Sequence, residues 1–353
     1  MNIQDILKKA VEKQAADVFI IAGQPITMKI YQQLIPLNDK KILPDSSYQL
    51  IHQIYELAHR EENQLITKGD DDFSFSIRGL SRFRISTYKQ RGSYAAVIRI
   101  ISFELPHPED IGINPDMIKL VNINKGLILV TGPAGAGKST TQACMIDYIN
   151  RTQSKHIITL EDPIEHLHSH NRSIVSQREI SIDSESYICA LRAALRQAPD
   201  VILLGEMRDY ETINIALTAA ETGHTVISTL HTMGAATTID RIIDVFPANQ
   251  QHQIALQLSM TLETVISQQL VPTKDGHLTP VFEVMIATPA IRNLIRENKI
   301  HQIDGIIASS AQSHMISMDK SLFNLYQQGK ITQQTALLYA TNQEMMKRKL
   351  NIR

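Results

Sequence analysis

The 353-residue sequence has little cysteine, no tryptophan and no long apolar run. Its two cysteines, Cys144 and Cys189, are too few for a four-cysteine zinc site, and their apolar, helix-like settings predict buried thiols in a reducing compartment. Nowhere do about 18 apolar residues follow one another, and charges interrupt the N-terminal segment. We therefore expect neither a membrane-spanning helix nor a secretory signal, and a cytoplasmic location.

An excess of charge of either sign is also missing. The 35 Lys and Arg residues nearly balance the 36 Asp and Glu residues, which gives a formal net charge of −1. No global field would draw such a chain to nucleic acid or to an anionic membrane. A hydrophobic content of 43% and a charged content of 20% are typical of a globular protein, and the length predicts roughly two or three domains.

The sequence does contain a phosphate-binding loop. Residues 126–141 begin with a short apolar run, continue with glycines and end in a helix-forming segment, which predicts strand, loop and helix. These residues match the pattern G-x-x-x-x-G-K-[ST]. In this motif the backbone N–H groups and the lysine bind phosphate oxygens, and the serine binds Mg²⁺. The positive end of the helix dipole also attracts the phosphates. We therefore predict a nucleoside triphosphate site. The predicted nucleotide-binding residues are Gly132, Pro133, Ala134, Gly135, Ala136, Gly137, Lys138, Ser139 and Thr140.

The first hundred residues predict a small α+β domain. Apolar residues at helix spacing occur at 2–14 and 46–58, and the alternating pattern of 73–85 predicts a hairpin that turns at Gly79. Prolines and a glycine at 105–118 interrupt this periodicity and predict a linker. Further strands are predicted at 17–22, 26–30 and 95–101.

Strand and helix patterns alternate after the phosphate loop, which favours an α/β fold with a parallel sheet and crossover helices. Predicted strands at 156–160, 201–204 and 225–230 each end in a polar cluster, and ligands of open α/β sheets bind at the carboxyl ends of strands. Farther along, a hairpin is predicted at 268–285. Helices are predicted to dominate from about 287 to 353.

The polar clusters supply the groups that hydrolysis of a γ-phosphate requires. Glu161 and Glu165 follow one predicted strand and Glu206 follows another. We expect one of these carboxylates to orient or deprotonate the attacking water and one to hold Mg²⁺ together with Ser139. The choice of the base between Glu161 and Glu165 stays open. His231 ends a third strand, where an imidazole can bond a phosphate, although a lone histidine is more often structural.

Several arginines lie on the predicted strands of the first domain. Beside aromatic side chains such a group could bind nucleic acid, which would suggest a nucleic-acid motor. The balanced net charge favours arginines that reach a nucleotide on the second domain instead, in the same subunit or a neighbouring one.

Four segments and a C-terminal helix together resemble a known family. Four segments are similar, in order, to the Walker A, Asp, Walker B and His boxes of secretion-superfamily ATPases. They are GPAGAGKST, IITLEDPIEH, ALRAALRQAPDVILLGEMRD and TAAETGH…STLHT. AIRNLIRE at 290–297 resembles the PilT-type retraction ATPases of type IV pili within that superfamily. One departure is ADVFII at 16–21, which lacks the histidine that the family commonly has on this strand.

The resemblance implies a PAS-like α+β domain at 1–104 and a RecA-like P-loop NTPase domain at 119–353 with a helical C-terminal tail. It also implies a homohexamer that hydrolyses ATP with Mg²⁺ to retract a pilus, bound peripherally to an inner-membrane platform protein and to no nucleic acid. A pilus-assembly or secretion ATPase is the alternative, but such proteins often add an N-terminal domain and a four-cysteine zinc insertion that we do not find here. The implied catalytic residues are Glu161, Glu206, Lys138, His231, Arg84 and Arg99, with Ser139 and Glu206 at the metal.

Overall fold

The chain divides into two units in the computed structural model, Met1–Glu104 and Leu105–Arg353. The structure describes residues 2–30, 33–101, 105–310 and 314–351. The last three residues of the predicted N-terminal domain, 102–104, lie outside the described residues.

The first unit is an antiparallel sheet of order β3-β2-β1-β6-β5-β4 with three described helices. Helix α1 forms because its apolar residues recur at helix spacing and are buried, and Asn2 caps its first turn through a bond from the N–H of Gln4. The predicted helices, the hairpin at Gly79 and the strands are confirmed within a few residues. The elements are α1 (Ile3–Glu12), β1 (Asp17–Ile20), β2 (Pro25–Ile30), β3 (Gln33–Lys41), α2 (Pro44–Leu57), α3 (Asn63–Lys68), β4 (Asp70–Ile77), β5 (Ser81–Gln90) and β6 (Ser93–Ile101).

The second unit contains a sheet of order β13-β12-β7-β11-β10-β8-β9, in which every neighbouring pair is parallel except β12 and β13. The predicted parallel sheet is confirmed, as are the strands that end at the polar clusters. Its strands are β7 (Gly126–Thr131), β8 (His156–Glu161), β9 (Ile174–Glu179), β10 (Val201–Leu204), β11 (Thr225–Leu230), β12 (Leu262–Pro272) and β13 (Leu278–Ile286).

Helices cover both faces of this sheet. Along β7, Leu127 and Leu129 pack into one apolar cluster while Ile128 and Val130 pack into another, so the whole strand is buried and its sequence is continuously apolar. The helices are α4 (Pro115–Ile118), α5 (Lys138–Thr152), α6 (Tyr187–Ala194), α7 (Tyr210–Glu221), α8 (Ala235–Asp244), α9 (Ala248–Thr261), α10 (Pro289–Arg296), α11 (Ile303–Ser309), α12 (Met318–Gln327), α13 (Gln333–Leu338) and α14 (Gln343–Lys349).

The segment 105–118, which the sequence predicts to be a linker, is part of the second unit. Ile113, Met117 and Ile118 are buried and pack in the same cluster as Ile128 of β7. The prolines that interrupt the periodicity do not prevent burial, because Pro115 stands at the first position of α4, where a missing N–H costs nothing.

Both cysteines are free thiols, as expected, but only Cys144 is buried. Cys189 is exposed because it lies on the outer face of α6, whose inner face carries Ala190, Leu191 and Ala194. The prediction of a second buried thiol was therefore wrong. In the parts of the chain that the structure describes, no helix is long and apolar enough to cross a membrane.

Candidate nucleotide site

The phosphate loop connects β7 to α5, as the motif requires. Gly132 and Gly137 have φ values of 143° and 86°, in the region that only glycine adopts readily. The Lys138 side chain folds back over the loop, where its Nζ donates to the carbonyl oxygens of Gly132 at 2.8 Å and Pro133 at 2.9 Å. Burial lowers the pKa of Lys138, while the charges of Glu206 and Glu165 oppose that shift. The ammonium group of Lys138 is thus held against the backbone of the phosphate loop.

The ends of three parallel strands bring the predicted hydrolytic residues to one cavity of about 470 Å³. Glu161 ends β8, Glu206 follows β10 and His231 follows β11, and all three line this cavity together with residues 134–140. His231 bridges the site, since its Nδ1 lies 3.4 Å from Nζ of Lys138 and its Nε2 lies 3.5 Å from Oε2 of Glu206. The parallel strand order therefore assembles a phosphate loop, a cation, two carboxylates and an imidazole in one place.

Glu161 lies in an environment that favours its neutral form. Burial raises the pKa of Glu161 to about 7, although bonds to its carboxylate from Thr159 and Gln177 oppose that rise. Thr159 donates to Oε1 at 2.6 Å, and the Gln177 side chain donates to the same oxygen at 3.3 Å. A carboxyl group that titrates near neutral pH and is held in one orientation has the properties of a general base.

Glu206 is in a different environment. Its Oε1 accepts from Nη2 of Arg208 at 2.5 Å, and the pKa of Arg208 is raised by that hydrogen bond and by the charge of the carboxylate. The Glu206 side chain is 14% exposed, whereas that of His231 is 56% exposed. The arginine therefore bonds one oxygen of this partly buried carboxylate, and the histidine lies next to the other.

The second candidate base, Glu165, is exposed and also lines the cavity. Beside it, His166 places Nε2 3.4 Å from the hydroxyl of Thr140, at the start of α5. Burial lowers the pKa values of His166 and His168, the latter to about 4, so both imidazoles are neutral at physiological pH. These two histidines extend the cavity wall beyond the phosphate loop.

Arg84 and Arg99 lie in the first unit and are direct cross-strand partners on β5 and β6. Nε of Arg99 donates to Oδ1 of Asp17 at 3.0 Å, and the Arg99 side chain remains 64% exposed. Together with Asp72, these residues line a small depression on one face of the sheet. The two arginines thus form a compact exposed pair, one of them oriented by a buried aspartate.

Ser139 and Glu206, predicted to hold Mg²⁺, line the same cavity. Hydroxyl and carboxylate oxygens are the hard ligands that Mg²⁺ prefers, and the ion keeps most of its other positions for phosphate and water. Within the described residues no group of three or more His, Cys, Asp or Glu side chains could hold a metal by itself. The donor set fits a cation that binds together with a nucleotide.

Four residues at this site were not predicted from the sequence. Arg208 stands two positions after Glu206, and its charge next to a strand end was an available signal. Gln177, Tyr187 and Gln268 reach the site from β9, α6 and β12, and nothing in their local sequence indicates a role there. Each depends on a contact between distant segments.

The chain is similar to known proteins along most of its length. A family model described as type II/IV secretion system protein matches residues 1–348. The chain is similar to the type IV pilus retraction ATPase PilT of Pseudomonas aeruginosa, with 40% identity over 338 residues that cover 95% of this chain and 97% of that protein. It is also similar to a twitching motility protein of Neisseria gonorrhoeae, with 49% identity over 276 residues, which are 78% of this chain and 74% of that protein.

A solved structure extends the likeness to three dimensions. The crystal structure of the pilus retraction motor PilT with bound ADP superposes with a TM-score of 0.90 at 44% sequence identity, and the match covers 99% of both chains. That protein binds ADP, and its fold is shared by this chain over nearly its whole length.

Proposed function

Because the chain belongs to the type II/IV secretion system protein family, we propose that it is the ATPase that powers retraction of a type IV pilus. The observation that carries this proposal is the convergence of the phosphate loop, Glu161, Glu206 and His231 on one cavity. This arrangement lies in a chain that is similar to retraction ATPases along 95% of its length. The nucleotide is ATP, which is hydrolysed to ADP and phosphate.

Each residue at the cavity has a distinct role in hydrolysis. Lys138 and the N–H groups of the loop bind the β- and γ-phosphates, and Glu161 accepts the proton of the attacking water. Ser139 and Glu206 would hold Mg²⁺, which neutralises phosphate charge when it is bound. His231, whose Nε2 lies 3.5 Å from Oε2 of Glu206, stands where it can contact the γ-phosphate and respond to its loss. Either carboxylate assignment can be tested separately.

The remaining assignments extend this proposal to the assembled motor. The first unit serves as a PAS-like domain and the second as a RecA-like motor domain with a helical C-terminal tail. The protein acts as a homohexamer at the cytoplasmic face of the membrane, next to a platform protein of the pilus machine. Arg84 and Arg99 stabilise the transition state of hydrolysis, in the same subunit or a neighbouring one.

Pilus length in a deletion strain tests the direction of the motor. If the protein retracts pili, the strain carries long, numerous pili and does not spread by twitching, and the wild-type chain restores both properties. A strain without pili would instead indicate an assembly or secretion ATPase. Complementation with Lys138→Ala is the matched control, because it should leave the deletion phenotype unchanged.

A further inference from the structure

Strand β12 places a buried glutamine directly against the phosphate loop. Gln268 is 1% exposed, and its side-chain amide has a partner at each end. Nε2 donates to the carbonyl oxygen of Ala136 at 2.5 Å, and Oε1 accepts from the hydroxyl of Thr141 at 2.7 Å. These contacts fix the orientation of the amide and join the end of the loop to the first turn of α5.

The backbone of Gln268 also explains why the motif needs its first glycine. A Cβ atom at Gly132 would lie 2.1 Å from the carbonyl oxygen of Gln268, closer than real atoms approach. A Cβ atom at Gly137 would lie 3.2 Å from Nε2 of the same residue. The first and last glycines of the loop therefore both face Gln268.

The bond to Ala136 has a consequence for phosphate binding. In a trans peptide the C=O and the following N–H point in opposite directions. A carbonyl of Ala136 held on Gln268 therefore directs the N–H of Gly137 away from β12, and Gly137 lines the nucleotide cavity. Oriented N–H groups of this kind are what a phosphate loop offers to its ligand.

The residues on either side of Gln268 hold other parts of the second unit. The hydroxyl of Ser267 accepts from the N–H of Gly234 at 2.9 Å, in the loop that follows His231. The side chain of Gln269 donates to the carbonyl oxygen of Tyr339 at 3.2 Å, in the C-terminal helices. Among these three consecutive residues, Gln268 is the one that contacts the phosphate loop, and Gln269 offers a matched control.

We propose that Gln268 is a positioning residue of the nucleotide site, which holds the phosphate loop in the conformation that binds the phosphates of ADP and ATP. This inference rests on the proposed nucleotide-binding function and deepens it. Gln268 contacts the loop rather than the reacting atoms, so its effect should fall on nucleotide affinity more than on the chemical step.

Titration of the full-length chain with ADP tests the proposal. Gln268→Met keeps the length of the side chain and removes both hydrogen bonds, and we expect the Kd for ADP to rise about tenfold, which corresponds to about 1.4 kcal/mol. The KM for ATP should rise in step, while kcat changes less than about threefold. Gln269→Met should leave the Kd within about twofold of the wild-type value. An unchanged Kd for Gln268→Met, or equal changes in both variants, would overturn the proposal.

Two further measurements separate positioning from general stability. Thr141→Val removes the partner of Oε1 without touching β12, and we expect a weaker rise in the Kd, of about threefold, that is not additive with Gln268→Met. Amide hydrogen exchange of residues 134–137 should accelerate in Gln268→Met and not in Gln269→Met. Additive effects, or equal exchange in both variants, would contradict the proposal. Because ADP binding is measured, the result does not depend on whether the wild-type chain hydrolyses ATP.

Discussion

Nζ of Lys138 lies 3.4 Å from Nδ1 of His231, although 93 residues separate them in the chain. The contact exists because β7 and β11 are adjacent parallel strands whose carboxyl ends lead into the phosphate loop and into His231. The same ammonium group bonds the carbonyl oxygens of Gly132 and Pro133. An arriving phosphate therefore meets a cation that loop carbonyls and an imidazole already hold in place.

Replacing that cation should stop the motor. We expect Lys138→Ala to lower ATP turnover by more than about a hundredfold, since charge stabilisation of the phosphates supplies most of the catalysis in such sites. Steady-state phosphate release measures the effect. Lys125→Ala is the control, because Lys125 is exposed and precedes β7, and it should hydrolyse ATP normally. Normal turnover in Lys138→Ala would show that the nucleotide site lies elsewhere.

Several of the predicted site residues line one cavity. Glu206 and His231 follow buried apolar strands, Lys138 follows the loop after β7, and parallel strands with their carboxyl ends at one edge bring such residues together. Gln268 could not be predicted, because 132 residues separate it from Ala136 and a polar residue in a hairpin gives no local signal. Its role depends on which strand lies beside β7.

The helices and strands were predicted where a regular apolar pattern marks them and were missed where it is absent. Strand β3 was missed because nearly all its residues are exposed, so no alternation of apolar and polar residues indicates a strand. Strand β9 was missed because its burial does not alternate either. The segment 105–118 was taken for a linker because prolines suppress periodicity, although Met117 and Ile118 are buried by the sheet. Strands and helices with a regular apolar pattern were predicted to within a few residues.

The raised pKa of Glu161 predicts a pH dependence of hydrolysis. A general base must be deprotonated, so kcat/KM should rise with pH around a midpoint near 7 rather than near the ordinary value of 4.5. Glu161→Gln should lower turnover by about 10²–10⁴-fold and remove this limb of the profile, while ADP still binds. Glu165→Gln is the matched control. If the Glu165 variant loses the limb instead, the base is Glu165.

The same shift predicts how folding stability depends on pH. Because the folded protein binds this proton more tightly than the unfolded chain, stability contributed by Glu161 is lost as pH rises from about 4.5 through about 7. Thermal unfolding of Glu161→Gln should therefore match the wild type near pH 4.5 and occur at a higher temperature than the wild type at pH 8. A variant that is less stable at pH 8 would show that the ionised carboxylate is favoured in the fold.

The pair formed by Arg84 and Arg99 should affect hydrolysis more than folding. Arg84 is exposed, so Arg84→Ala should keep the unfolding temperature of the wild type within a few degrees. Arg99→Ala also removes the ion pair with the buried carboxylate of Asp17, so it should lower the unfolding temperature moderately. We expect each to lower ATPase activity of the assembled protein by about 10²-fold or more, as the loss of a transition-state arginine does. Arg78→Ala, in the exposed turn between β4 and β5, is the control. Unchanged turnover in both variants would remove these arginines from the site.

Two arginines of helix α10 allow a test that distinguishes the motor's output from its chemistry. Ile291 and Ile295 are buried, which fixes the orientation of the helix, and Arg292 and Arg296 then differ sharply in their surroundings. Arg292 donates to the carbonyl oxygens of Ser259 and Met260 at 3.0 and 3.2 Å and to Glu263 at 2.8 Å, so it closes the end of α9. Arg296 is exposed.

These surroundings predict different defects for two arginines of one helix. Arg292→Ala should destabilise the fold by about 1–3 kcal/mol, because partly buried acceptors lose their charged donor, and ATPase activity and motility should fall together. Arg296→Ala should retain most ATPase activity and assembly, yet fail to restore twitching in a deletion strain, because an exposed cation on a fixed helix is free to contact the pilus machinery. The measurements are phosphate release, oligomer mass and twitching-zone diameter for both variants. If Arg296→Ala restores twitching fully, or if its ATPase activity falls together with motility, α10 has only a structural role.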